Sequence, residues 1–286
     1  MNNAKRSSLM MDNPDNIWKK IVESEGKNKQ LVDDLQFALV ENIESSKLFS
    51  FLKYVKQLIK DDKSIRILDY GCGGGQLLTY LRMLGCENLT GVDVGDAKQI
   101  NQLNIMYSNM GFESDTFFIY DGSLLPFNNS SFDIIISQQV LEHVHNVEKY
   151  FSESKRVLSS KGKILFEFPH RLVPFDTHTR MWFVHYFPSM IRNIFYDKFR
   201  ENKSQYYGNL LNLQPIWYYK RLLNTMFSSV VDLSEDRISS FVYRDHYEGN
   251  INIRLMIDKL VNTPFIGGAF RAILALFSNA TLIIKK

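Results

Sequence analysis

The chain has 286 residues, 45% of them hydrophobic, which is enough to bury a full core and favours one domain with an appended part over two independent ones. Its 34 basic and 31 acidic side chains balance too evenly to point to nucleic acid, and Cys72 and Cys86 give neither a disulfide framework nor a Cys/His cluster with metal-ligand spacing. No metal is expected, a reducing cytosol fits, and the polar Met1–Asn16 lacks the apolar centre of an export signal.

In chain order, residues 1–27 read as a loose leader with a small helix around Ile17, Trp18, Ile21 and Val22. From Leu31 to Ile59 apolar residues recur at helical spacing, which predicts helices that cover one face of a sheet. Ile65, Ile67 and Leu68 then form a short apolar strand ended by Asp69, the glycines make a turn, and Gln76 to Leu81 resume with helical periodicity. Only glycine turns this tightly while leaving a ligand room against the main chain, and the helix after it offers unpaired N–H groups.

The glycines are Gly71, Gly73, Gly74 and Gly75, and Gln76 stands where a dinucleotide loop needs its third glycine. Asp69 would crowd phosphates with a carboxylate, whereas it suits a ligand that carries an ammonium group. Both observations argue against a nicotinamide-dependent reductase. Asp69-Tyr-Gly-Cys-Gly-Gly-Gly75 resembles the D-x-G-C-G-x-G motif of class I S-adenosylmethionine-dependent methyltransferases, whose cofactor has an ammonium, a sulfonium and no phosphate.

Leu89–Val94 predicts a second strand that ends at Asp93, spaced from the loop as a ribose-binding acid would be. Asp96–Met110 predicts a helix and Thr116–Tyr120 a third strand leading to Asp121-Gly122-Ser123. The resemblance implies that Asp121 accepts from the adenine amino group while the Gly122 or Ser123 backbone reads a ring nitrogen. Leu124 to Val144 resembles the L-P-F-x-x-x-S-F-D-x-(apolar)-x-S-x-x-V-L-E-H stretch of the same family. Its continuous Ile134–Ile136 run predicts a central parallel strand, with Gln138 at the carboxyl end facing the ligand crevice. Val147–Leu158 predicts a helix broken by Gly162, and Lys163–Phe168 a fifth strand.

The resemblance covers about Ile65 to Pro169. It implies an α/β fold: a Rossmann-like, doubly wound, mostly parallel seven-stranded sheet with N-terminal helices and a helical cap insertion. The expected division is 1–60 leader and covering helices, 61–169 cofactor core, 170–228 acceptor-binding cap, and 229–286 final strands with a C-terminal helix.

Residues 1–150 hold 15 basic and 20 acidic side chains, whereas 151–220 hold 11 and 5. This basic, aromatic-rich belt gathers His170, His178 and His185, and it looks like the P-x-E-x-H…F-x-H-x-x-P segment of methyltransferases from bacterial surface-glycan gene clusters, with Asp176 in place of the usual Glu. His178 is the first candidate for the base that takes the acceptor's proton and His143 the second, because imidazole titrates near neutral pH. The expected reaction is O-methylation of a sugar or other small polar acceptor, such as a bacterial glycan or its precursor. The alternatives are C-methylation of a quinone-like ring and a non-catalytic cofactor-binding scaffold. The chain is expected in the cytoplasm, with peripheral contact at the inner face of the membrane open through the short apolar Pro264–Phe277, and the oligomeric state is open too.

Overall fold

A computed structural model describes residues 49–60, 62–109, 112, 115–176, 181–188, 190–192, 194, 211–242 and 251–286. The leader, most of the N-terminal helical stretch and His178 lie outside the described residues. The chain divides into two compact units, Met1–Ile136 with Arg156–Lys163, and Ser137–Lys155 with Ile164–Lys286.

A single seven-stranded sheet has the order β3-β2-β1-β4-β5-β9-β8. Its strands are β1 (Ile67–Tyr70), β2 (Leu89–Asp93), β3 (Phe117–Ile119), β4 (Phe132–Gln138), β5 (Leu158–Phe168), β8 (Ser229–Asp232) and β9 (Ala280–Lys285). A separate antiparallel pair joins β6 (Phe175–Asp176) to β7 (Met181–Trp182).

In the first unit, α1 (Phe49–Ile59) buries Phe51, Leu52 and Val55 of the expected apolar stripe together with Tyr54 and Ile59, while Leu58 of that stripe is half-buried. The chain then runs β1, α2 (Gln76–Met83), β2, α3 (Ala97–Asn109) and β3 outward, and returns to place β4 on the other side of β1. β1 pairs parallel with both β2 and β4, and β2 with β3. Ile67, Leu68, Ile134, Ile135 and Ile136 are all buried, as a strand run covered on both faces requires. The reversal of strand order beside β1 is where such sheets open a crevice at their carboxyl ends. β1 extends one residue past Asp69, to Tyr70, because the parallel ladder continues to Val92.

In the second unit, α4 (Val147–Val157) packs Tyr150 and Phe151 on Phe166 of β5, with Phe151 and Phe166 stacked at 5.6 Å between centroids. α5 (Ile216–Met226) sets Tyr219 edge-on to Phe168 at 5.0 Å. β8 and β9 close the sheet as an antiparallel pair. Between them lie α6 (Ser234–Val242), α7 (Ile251–Asn262) and α8 (Gly267–Leu276), where the sequence reading expects one helix. The α6 start is legible in hindsight, since Glu235 and Asp236 occupy its first turn and Asp232 Oδ1 accepts the Ser234 N–H at 2.8 Å.

Gly162 does not break a helix. β5 begins at Leu158, directly after α4, and Gly162 lies within the strand where a Cβ would come 2.6 Å from Leu158 Cδ1.

Candidate functional site

The first unit brings three acidic strand ends together. Parallel pairing sets Asp69 opposite Gly91 and Asp93 opposite Ile119, so Asp69, Asp93 and Asp121 leave adjacent strands at the same end of the sheet. Asp93 holds the glycine loop in shape: its Oδ2 accepts the Gly73 N–H at 2.8 Å and its Oδ1 the Gly95 N–H at 3.0 Å. Carboxylate oxygens have lone pairs beyond these bonds, so anchoring the loop is compatible with the ribose role expected of Asp93. Asp121 Oδ1 accepts the Ser123 and Leu124 N–H groups at 2.8 and 2.9 Å, which fixes the turn that holds Gly122 at φ 79°.

The loop is glycine for two different reasons. Above Gly73 (φ 49°) a Cβ would meet nothing within 4 Å, so the backbone there faces open space. At Gly75 (φ 75°), the residue before α2, a Cβ would fall 2.8 Å from Phe117 Cζ. The same ring would stand 2.7 Å from a Cβ on Gly91, so Phe117 of β3 is wedged under both the loop and β2. Gly71 turns the chain out of β1, its N–H donating to Val92 O at 2.8 Å.

Asp69 is 4% exposed, and burial, followed by the neighbouring Asp93 carboxylate, pushes its pKa up to about 7. An isolated anion is disfavoured there and a nearby cation would restore it. A buried carboxyl in need of a cation, an open backbone surface over Gly73 and the Asp93 carboxylate fit the ammonium and ribose ends of S-adenosylmethionine. Val94 and Leu124, each one residue or a few beyond a strand-end acid, are 59% and 56% exposed, and Val94 Cγ1 would lie 3.5 Å from a Cβ on Gly122. Such apolar surface left to solvent beside carboxylates suits a flat purine. Nothing in the sequence singles out either residue except its place just after Asp93 or Asp121, where a purine-binding role would need it. Cys72 is no nucleophile: burial, then Asp69 and Asp93, raise its thiol pKa.

The remaining expected residues belong to the second unit. Gln138 ends β4, and its Nε2 donates to Glu167 Oε1 at 3.3 Å. Glu167 also takes the Thr281 hydroxyl at 3.4 Å, so the crevice-facing role expected of Gln138 meets a competing structural partner. His143 ends a single 3-10 turn, Leu141–His143, and is exposed. His185 and Asp176 are both buried and lie 4.0 Å apart, so Asp176 of the expected lid faces His185. His170 is held neutral, its pKa lowered to about 4 chiefly by burial, and its Nδ1 accepts the Leu172 N–H. It is structural.

Glu142, unremarked in the sequence, is fully buried, and among the described residues neither carboxyl oxygen has a hydrogen-bond partner. Burial, then Asp176 and Glu167, push its pKa up to about 8. Nothing local in the sequence signals this, because the neighbours that matter are 25 and 34 residues away.

Residues 68–166 match the methyltransferase domain family. Over 137 residues the chain is 30% identical to the ubiquinone biosynthesis O-methyltransferase of Rickettsia bellii, covering 45% of this chain and 52% of that protein. Over 111 residues it is 32% identical to the sarcosine/dimethylglycine N-methyltransferase of Aphanothece halophytica, covering 36% and 38%. The chain thus spans about half or less of the length of these relatives. The crystal structure of the YcgJ protein from Bacillus subtilis shares the fold, with a TM-score of 0.50 at 17% identity over 83% of this chain and 97% of that one. The glycine loop, the strand-end acids and the match over 68–166 agree, and this stretch has the sequence and the geometry of a class I S-adenosylmethionine-dependent methyltransferase domain.

Proposed function

We propose that this protein transfers a methyl group from S-adenosylmethionine to a small-molecule acceptor, and that the acceptor is a ring hydroxyl of a quinone-like precursor. The observation that carries the cofactor half is the convergence of Asp69, the glycine loop, Asp93 and Asp121 on adjacent strand ends. The acceptor half draws on the relatives: one is named for ubiquinone biosynthesis and O-methyl transfer, another for an amine, and neither for the sugar or glycan expected from the sequence. The O-methyl chemistry expected as the main reading is thereby joined to the quinone-like acceptor expected as the alternative.

When bound, S-adenosylmethionine supplies a methyl group activated by its sulfonium. In this reading Asp69 holds the ammonium, Asp93 keeps the loop open and takes the ribose, and Asp121 with the Gly122 backbone orients the adenine. Transfer is then largely a matter of holding the acceptor oxygen in line. A phenolic hydroxyl must also lose its proton, and His143 or His178 accepts it. In this reading the stretch 170–228 binds the acceptor. The protein works in the cytoplasm with peripheral contact at the inner face of the membrane; among the described residues no helix is long and apolar enough to cross one.

Calorimetry with S-adenosylmethionine and its demethylated product tests the cofactor half, and failure to bind either refutes it. Labelled methyl transfer to a panel of catechol-like, sugar and amine acceptors tests the other half. Label in alkali-labile or ring-carbon positions only, or in sugars only, overturns the proposed acceptor, and binding without turnover on any acceptor favours the scaffold.

A further inference from the structure

The second unit carries a helical hairpin whose apolar side faces outward. α7 and α8 pack tightly on the inside: Val261 is buried, a Cβ on Gly267 would lie 2.3 Å from Val261 O, and Arg271 Nη1 donates to the same carbonyl at 2.7 Å. The outer side should by ordinary patterning be polar. Instead Ile266, Ile273 and Phe277, spaced at about two and three helical turns along α8, are 56%, 53% and 43% exposed. Leu255 and Met256 on α7 are each 56% exposed. At the tip, Phe265 stands 105% exposed at φ 67°, a backbone conformation that costs a bulky residue about 1 kcal/mol or more. Two hydrogen bonds hold it there, Ile266 N–H to Pro264 O and Gly267 N–H to Thr263 O, both 2.9 Å. The first spans three residues, a γ-turn with its central side chain thrown clear of the protein.

Charge says what covers this surface. Across the hairpin, residues 251–277, three basic side chains (Arg254, Lys259 and Arg271) stand against one acid, Asp258. Two copies of such a surface would repel, whereas anionic headgroups would attract it and an acyl layer would take the projecting ring. Neither helix is long enough to span a bilayer, so the hairpin would lie in the interface.

We infer that the α7–α8 tip, with Phe265 as its wedge, docks this protein on an anionic lipid surface. The inference rests on the peripheral contact proposed above and names its site and headgroup charge. It is read without methyl transfer or added cofactor, so it and the assigned reaction fail separately.

The full chain is sedimented with vesicles of phosphatidylcholine alone and of phosphatidylcholine mixed with phosphatidylglycerol. Binding is expected only to the mixed vesicles and to weaken as salt is raised. Phe265→Asn, which tolerates the positive φ, should lower the affinity about tenfold, the scale of losing one buried aromatic ring. Ile273→Ser on the exposed face should lower it too, with unchanged thermal midpoint and cofactor affinity in both variants. The inference is overturned if the wild type stays in the supernatant with both vesicle types, if it binds both equally, or if Phe265→Asn binds like the wild type. Self-association that the variants abolish, without vesicle binding, would make the face a contact between copies and also overturn it.

Discussion

The two units set a buried acid with a raised pKa in different surroundings. In the first, the half-buried Asp93 is tied to two backbone N–H groups within 20 residues of itself, and the buried Asp69 sits beside it with a pKa raised to about 7, so a ligand cation would favour its charged form. In the second, Glu142 has a pKa raised to about 8, no hydrogen-bond partner on its carboxyl among the described residues, and two further carboxylates as its electrostatic neighbours. A site poised for a ligand keeps its buried acid beside open backbone; a core that holds an unpaired acid must keep it protonated. The contrast separates a recognition acid from a buried one by surroundings and not by residue type.

Four changes test that contrast, from the largest expected effect down. Asp93→Ala removes the acceptor of two backbone N–H groups together with the ribose contact proposed for it, and should weaken S-adenosylmethionine about 100-fold or more by calorimetry. Wild-type affinity in that variant would mean that the loop holds itself. Gly75→Ala forces a side chain into positive φ and against the Phe117 ring, at a cost of roughly 2–3 kcal/mol in denaturant unfolding.

Glu142→Gln should do the reverse of most buried substitutions. A raised folded pKa means that the Glu142 contribution is most favourable below its unfolded value and is lost as pH climbs through about 8. The amide cannot ionise, so the variant should gain about 1–3 kcal/mol on the wild type near pH 9 and match it near pH 4. A parallel pH dependence in the two proteins would show that Glu142 has found a partner for its charge. The smallest effect concerns Asp69. Affinity for S-adenosylmethionine should rise as pH passes upward through about 7, by at most about tenfold per pH unit below that point, as the carboxyl becomes available in its charged form. Asp69→Asn should flatten the profile, and calorimetry across pH reads both.

How much could be read from the sequence follows the same line. The β1–loop–α2 segment, the strand-end positions of Asp93 and Asp121 and the central Ile134–Ile136 run were legible because each depends on residues close in sequence: periodicity, glycine and a strand end. Tyr70 continuing β1, Leu158 opening β5 straight from a helix, and three helices before β9 were not, since pairing partners decide where a strand stops. In the candidate site, the orphan Glu142, the Asp176–His185 pair and the Gln138–Glu167 bond join residues 9 to 34 apart through tertiary packing, and no local spacing encodes them. Val94 and Leu124 were readable in position but not in exposure, because an apolar residue after a strand looks like core until its neighbours are known.

The ring of Phe117 carries a constraint on how this protein can change. It comes from a three-residue strand at the sheet's edge, far along the chain from the loop it supports, and it fills the space that side chains at 75 and 91 would need. A side chain at 75 or 91 is therefore blocked by the ring, and a smaller residue at 117 would not be enough by itself, because Leu78 and Cys72 also crowd position 91 and position 75 keeps its positive φ. The cofactor loop is thus shaped from outside its own motif, and a designer who transplants Asp69 to Gly75 into another sheet must carry along the phenylalanine that packs beneath it.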